Sequence, residues 1–315
     1  MRPRSLLPHA PALAFIAAVL GFGVGNVLSK VILERGVGAL ELLPIRYLFA
    51  LISLLALLAA TGRLRALDAD TWIKGSWLGI INMAVPSILL TTGLTHLTAS
   101  KSALLVGLLP LTTVFFAHHL IDGEKMHRGL YPGFLLALVG TALLMDGGGD
   151  PAAKPLLGFT LVGLGVISAG AGGALTRRFA IGTPAADLIV PQFISGASLV
   201  LLTSLVTGSV GGIGRMDRGS WALIALLGTC ATTLPFGGLL WLSELTTAAR
   251  VALTAYLVPL VGLAGGVLIL DEPLGVRLLI GGALILAGVV LADRAERRVH
   301  PRTAAFAEGV GVPRP

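Results

Sequence analysis

Charge is what this sequence lacks most. Asp, Glu, Lys and Arg make up only 12% of its 315 residues, against about 25% in an ordinary soluble domain. That is too little to solvate the surface of a globule of this size, and 55% of the residues are hydrophobic with a mean hydropathy of +0.90. The same balance excludes a disordered chain. Cysteine is nearly absent as well. Cys230 stands alone, so an internal disulfide, a secreted disulfide scaffold and dithiol redox chemistry are all excluded. Acidic residues are outnumbered, 16 against 23 basic ones, for a net charge of +7. In a soluble protein that excess would point to nucleic acid. In a membrane protein it belongs to the cytoplasmic loops, so no nucleic-acid partner is expected. Catalytic constellations are missing too. His118 and His119 are adjacent, so on a helix they point about 100° apart and make poor co-ligands. Asp122, Glu124 and His127 form one short charged turn, and the other acids are scattered. No metal, cofactor or enzymatic activity is expected.

What the chain does have is long apolar runs. A membrane-spanning helix needs about 20 mostly apolar residues, and ten segments qualify: Pro11–Leu33, Leu40–Ala60, Trp72–Leu94, Ala99–Ile121, Gly129–Met145, Leu156–Leu175, Asp187–Thr207, Ser220–Leu242, Ala248–Leu270 and Val276–Ala292. No room is left for a soluble domain. Arg2 and Arg4 before the first run resemble a signal peptide, but the run is too long and lacks a clear small-residue cleavage site, so it is read as a retained span. With the N-terminus inside, fifteen Lys and Arg fall on the cytoplasmic side and six on the other, while Lys30 and Arg46 lie within spans. This bias predicts both termini in the cytoplasm, in a bacterial inner (plasma) membrane.

The two halves resemble each other. Setting Pro110 on Pro259 places Lys101 on Arg250, Ala103 on Ala252, Leu104 on Leu253, Pro86 on Pro235, Gly79 on Gly228 and Thr98 on Thr247. One residue of slippage puts Glu124 on Glu272, Gly133 on Gly281, Leu136 on Leu284 and Gly140 on Gly288. Each half holds five spans. Five is odd, so the second half enters the membrane from the opposite side, the inverted-topology arrangement of many secondary transporters. The predicted fold is therefore an all-α polytopic membrane protein of ten transmembrane helices in two inverted five-helix repeats. The repeats are expected at 11–146 and 156–292, with a head at 1–10, a linker at 147–155 and a basic tail at 293–315.

Small residues, a leucine run, a proline, an acidic turn and a glycine-marked helix follow one another in each half. The series runs from Ala99-Ser100-Lys101-Ser102-Ala103 through Pro110 to Gly123-Glu124, and from Ala248-Ala249-Arg250-Val251-Ala252 through Pro259 to Asp271-Glu272-Pro273. With Arg46 in Leu43-Pro44-Ile45-Arg46-Tyr47, this resembles a ten-span member of the drug/metabolite transporter superfamily, of the EamA type, over Pro11 to Ala292. The sequence His118-His119-Leu120-Ile121-Asp122 departs from the family's apolar run. The resemblance implies ATP-independent movement, as a secondary active transporter, of a small-molecule metabolite such as an amino acid or related compound, with export favoured. A polyspecific drug exporter, or a flippase for a lipid-linked amphipathic substrate, is the alternative.

Ionisable groups inside a span cost about 2.5–3.5 kcal/mol each on insertion scales, so they should face protein or water. Asn26 and Lys30 share a face of the first span, and Arg46 sits in the second. Together they are candidates for a wall that binds an anionic substrate group. Alternatively Lys30 and Arg46 snorkel to the surface, helped by Glu34 and Glu41, and Asn26 joins two helices. Tyr256 and Trp241 are further substrate-binding candidates, Trp241 equally fitting an aromatic belt. His96 with Lys101, and Glu244 with Arg250, are candidate gates at opposite faces, or simply helix-end charges at headgroup level. Proton coupling would fall to Glu244, Glu41 or His96. Pro86, Pro110, Pro235 and Pro259 are candidate hinges or plain packing irregularities. The glycines of Gly21–Gly25 and Gly262–Gly266 read as close helix contacts. Glu124 and Glu272 read as turn and helix-start residues. Asp293-Arg294-Ala295-Glu296-Arg297-Arg298 reads as an interfacial anchor to membrane lipid. A homodimer is a further expectation.

Overall fold

A computed structural model describes residues 10–121, 126–145, 154–245 and 248–299, and side chains over 11–121, 126–145, 154–239 and 253–298. No strand occurs among the described residues. Ten helical stretches follow in order: α1 Ala10–Glu34, α2 Ala39–Ala60, α3 Ala69–Leu94, α4 Ala99–Leu120, α5 Tyr131–Met145, α6 Pro155–Phe179, α7 Ala185–Val206, α8 at 218–245, α9 Ala248–Ile269 and α10 Val276–Val299. Within the described residues nine of them are long and apolar enough to cross a membrane, and α9 adds the shorter apolar stretch Leu253–Ile269. Their outward faces are apolar too: Leu138 and Leu268 are 63% and 78% exposed. Helices apolar all round are stable only where lipid or protein covers every face.

Short loops send the chain back and forth, so one end of the bundle holds the starts of α1, α3, α5, α7 and α9 and the other holds their finishes. Aspartates cap two starts. Asp68 accepts from Thr71 N at 2.9 Å before α3, and Asp217 accepts from Gly219 N at 2.9 Å before α8. Thr98 caps α4 by accepting from Lys101 N at 3.2 Å.

The halves pack as a two-fold symmetric pair. α6 lies against α3 and α4, as α1 lies against α8 and α9; α3 packs on α7, as α8 packs on α2. The α5–α10 contact shows the symmetry most closely. A Cβ on Gly133 would meet Gly288 O at 2.5 Å, and one on Gly288 would meet Gly133 O at 2.5 Å. Gly140 and Gly281 approach each other in the same way. Since the sequence aligns Gly133 with Gly281 and Gly140 with Gly288, each glycine touches the counterpart of the other, as an isologous interface requires. Between α2 and α7 the register follows from a shared contact. Gly79 packs on Gln192 O and Gly196 N, and Gly228 packs on Arg46 O and Ala50 N. Arg46 therefore corresponds to Gln192, and Glu41 in the first turn of α2 to Asp187 in the first turn of α7.

Three features differ from a plain ten-helix reading. First, α3 and α8 each contain a π-helical stretch, Gly79–Ala84 and Thr229–Thr233. Each lies just before its proline: Val85 N bonds Ile80 O and Leu234 N bonds Thr229 O, both five residues back. The wider turn makes room for the rings of Pro86 and Pro235, which would strike a carbonyl in an unbroken α-helix. Second, α4 breaks at Gly107–Leu108, just before Pro110, whereas α9 continues through Pro259. The ring of Pro259 sits on Gly107, 3.1 Å from where a Cβ would be. Third, α6 continues past Leu175 to Phe179, and α10 past Ala292 to Val299. Arg177 and Arg178, expected in a loop, and Arg297 and Arg298, expected in a tail, lie in last helical turns, where cations complement the exposed carbonyls of a helix end.

Candidate functional site: an apolar cavity and buried polar anchors

A cavity of about 1340 Å³ opens at the end of the bundle where α1 begins. Its walls come from both repeats: Ala14 and Ala17 of α1, Leu54 and Leu58 of α2, Ile189 and Val190 of α7, and Leu234 of α8. The loop from Thr61 to Leu67 forms the rim together with Asp187. Arg65 donates from Nε to Asp187 Oδ1 at 2.9 Å, and a second guanidinium nitrogen binds the other carboxylate oxygen. The hydrogen bond and then the charge of Asp187 push the Arg65 pKa above its ordinary value, so the guanidinium stays charged.

Leu54, Leu58 and Ile189 line the cavity; their symmetry-related counterparts Val200, Ser204 and Leu43 are fully buried, while Leu54 and Ile189 keep 2% and 8% exposure. Ser204 donates to Leu40 O at 2.7 Å, holding α7 to the start of α2.

Asn26, Lys30, Arg46 and Tyr256 are not among the residues that line the cavity. Asn26 Nδ2 donates to Ala99 O at 2.9 Å, and Ser102 donates to Asn26 Oδ1 at 3.4 Å. Lys30 Nζ donates to Leu94 O at 3.1 Å and lies 3.9 Å from Glu34. Both therefore join the end of α1 to the α3–α4 connection. Arg46 turns into the bundle, donating from Nε to Thr232 Oγ1 at 2.9 Å in the π-stretch of α8. Tyr256 packs with Leu111, Leu130 and Val289 and lies beside Asp293, which accepts from Arg297 Nε at 2.8 Å. His96 and Lys101 lie against successive residues of α6: a Cβ on Gly158 would meet the His96 Cβ at 2.9 Å, and Lys101 Nζ is 6.0 Å from the Phe159 ring centre. Glu41 accepts from Gly38 N at 2.9 Å and lies directly on Gly212, closing the first turn of α2. The side chains of Trp241, Glu244 and Arg250, with Glu124, lie outside the described residues.

Two kinds of residue escaped the sequence reading. Glu272 is a helix-start residue, but for another helix: its carboxylate accepts from Ala99 N at 2.5 Å and Ser100 N at 2.8 Å, capping α4. Asp271, at φ 52°, places it there. The chain turns left-handed after α9, and Glu272 N folds back onto Gly266 O at 3.1 Å. The second kind is the carboxamide, of which the sequence reading took up only Asn26. The chain has one glutamine, Gln192, and two asparagines, Asn26 and Asn82. All three lie inside apolar helices. Gln192 is 5% exposed. Asn82 sits within the π-stretch of α3 against Gly172. The signal was present in the sequence, because a polar amide at membrane depth is costly unless it is used.

Comparison with known proteins agrees with this architecture. The model of the EamA-like transporter family matches residues 9–146 and 156–292. A Bacillus subtilis (strain 168) protein described as "Uncharacterized transporter YyaM" is 27% identical over 223 residues, covering 69% of this chain and 71% of that one. An "Uncharacterized transporter" of Archaeoglobus fulgidus is 22% identical over 221 residues, 69% of this chain and 76% of its own. A solved structure described as "Crystal structure of protein" superposes with a TM-score of 0.58 at 20% identity, covering 90% of this chain and 98% of that one; it supports the fold. With both repeats matched and the ten-helix arrangement in place, the chain belongs to the EamA-like transporter family and is a multi-pass membrane transporter.

Proposed function

We propose that the protein is a secondary active transporter that moves a small metabolite, an amino acid or related compound, across the cytoplasmic membrane by alternating access, in the export direction. One observation carries the reading. The cavity lies at one end of the bundle and is bounded by α1 and α2 of one repeat and α7 and α8 of the other, across the seam of a two-fold related pair. Two related halves arranged in this way can exchange shapes, which moves the opening from one end to the other. Uptake of labelled amino acids into proteoliposomes under an imposed proton gradient tests it. Gradient-dependent accumulation of one compound class is the expected result; no accumulation of any amino acid, with or without a gradient, would reject the substrate class.

The lining favours a second reading. Alanine, leucine, isoleucine and valine form the walls, and Arg63, Arg65 and Asp187 stand only at the rim. Such a cavity suits an amphipathic cargo, as a polyspecific drug exporter or a flippase for a lipid-linked substrate would require. Thermal stabilisation of the purified protein across amino acids, sugars, nucleobases and lipids separates the two readings, because a ligand that binds only the folded state raises Tm with its concentration.

A further inference from the structure

We propose that Arg65 and Asp187 form a one-sided latch that ties the rim loop Thr61–Leu67 to α7 and narrows the mouth of the cavity. The inference rests on the alternating-access reading for its purpose, but not for its geometry. The loop belongs to the first repeat and Asp187 to the second, so the pair spans the seam along which the halves would part. Its two-point contact fixes distance and orientation together, which a single-point lysine contact does not. Asp187 is only 15% exposed while Arg65 is 60% exposed, so the carboxylate is a fixed anchor and the arginine is the part that swings. Lys74 makes a second tie nearby, donating to Thr183 Oγ1 at 3.3 Å across the same seam.

The symmetry of the fold explains why the latch is on one side only. Glu41 is the counterpart of Asp187; both are the third residue of their helix. Glu41 turns back to accept the N–H of its own cap residue, Gly38. Asp187 has no such option, because the cap residue of α7 is Pro184, which carries no N–H. The carboxylate of α7 is thereby left to the arginine, and that of α2 is consumed in its own helix. Gly212 keeps the second arrangement in place: Glu41 lies so close to its Cα that any side chain there would displace the carboxylate.

The test is cysteine labelling of the full-length protein in lipid nanodiscs, where reagent reaches both faces. Cys230→Ser removes the native thiol, and Ala17→Cys reports from the α1 wall of the cavity, away from the latch. Asp187→Asn and Arg65→Gln should each raise the rate of reaction with a bulky maleimide severalfold. The exchanged pair Arg65→Asp with Asp187→Arg should bring it back toward the parental rate. Unchanged rates in both single variants, or an exchanged pair as fast as the singles, would overturn the latch. Tm is measured on each sample. A rate that rises only together with a loss of Tm that the exchange fails to restore reports unfolding, and also overturns it. Transport is assayed separately: a parental protein that moves no substrate counts against the transport reading, while the labelling result still decides the latch.

Discussion

At the scale of single residues, several intramembrane polar groups have partners within the bundle. Arg46 reaches Thr232, Asn26 reaches Ala99, and Lys30 reaches Leu94. Gln192, the counterpart of Arg46, lies beside the same kind of π-stretch, where the residue corresponding to Thr232 is Met83. An amide largely withdrawn from water without a full set of partners costs up to about 1–3 kcal/mol. Gln192→Met keeps the volume and removes the amide, so it should raise Tm in detergent; a lower Tm would mean that the amide has a partner. If Gln192 serves transport, the same variant loses rate while gaining stability, a separation that a purely structural residue does not show. Glu272→Gln should act in the opposite sense. It weakens two charge-assisted bonds to the start of α4, and loss of a helix cap costs about 0.5–2 kcal/mol. The predicted fall in Tm should be smaller in Glu272→Asp if the shorter carboxylate still reaches Ser100 N.

At the scale of elements, length and apolarity were enough to place ten helices, because a bilayer leaves the backbone few alternatives. Their interruptions were less legible. Pro86 and Pro235 announced irregularity, but nothing local distinguishes a π-turn from a kink, and only the neighbours show why it persists. Ser168 donates to Ile81 O at 2.7 Å and Tyr47 to Met83 O at 3.3 Å, satisfying carbonyls that the wide turn releases. Pro110 and Pro259 align in sequence yet differ in outcome, because Gly107 stands where the second repeat has Tyr256. Glycine spacing was legible as close packing; its two-fold pairing required the structure. Gly288→Ala should be destabilising by about 1–3 kcal/mol, the usual cost of overpacking, since its Cβ would fall 2.5 Å from Gly133 O. Thermal melts would show this, with Gly275→Ala, where nothing lies within 4 Å, as the harmless comparison. The caps carry a pH dependence. Hydrogen bonds from Thr71 and Ser220 hold the Asp68 and Asp217 carboxyls below the ordinary value of 3.8. A depressed folded pKa means stability that is fully present above the unfolded value and lost as pH falls through the folded one. Tm should therefore drop below about pH 4, and less steeply in the double variant Asp68→Asn, Asp217→Asn.

At the scale of the whole molecule, the sequence carried the duplication and its inverted sense through prolines and glycines at matching depth, while the conformation carried an asymmetry that no alignment contains. Near-equivalent halves enclose a cavity between α1, α2, α7 and α8 at one end, while the symmetry-related Val200, Ser204 and Leu43 are fully buried. Symmetry predicts the missing state. In it Val200, Ser204 and Leu43 would line an opening, and the gap lined by Leu54, Leu58 and Ile189 would close. A ligand moves the balance between two such states only by its difference in affinity for them, so the shift should appear as opposite changes at two reporters. In a background lacking Cys230, Ala17→Cys should react faster than Val200→Cys in the resting protein. A transported compound, or the gradient that drives it, should slow the first and speed the second. Both reactivities rising together would indicate general loosening, and both falling would indicate simple rigidification. Either result would be incompatible with an exchange of shapes between the halves, whereas reciprocal change at reporters toward opposite ends has no source in a molecule that opens at one end alone.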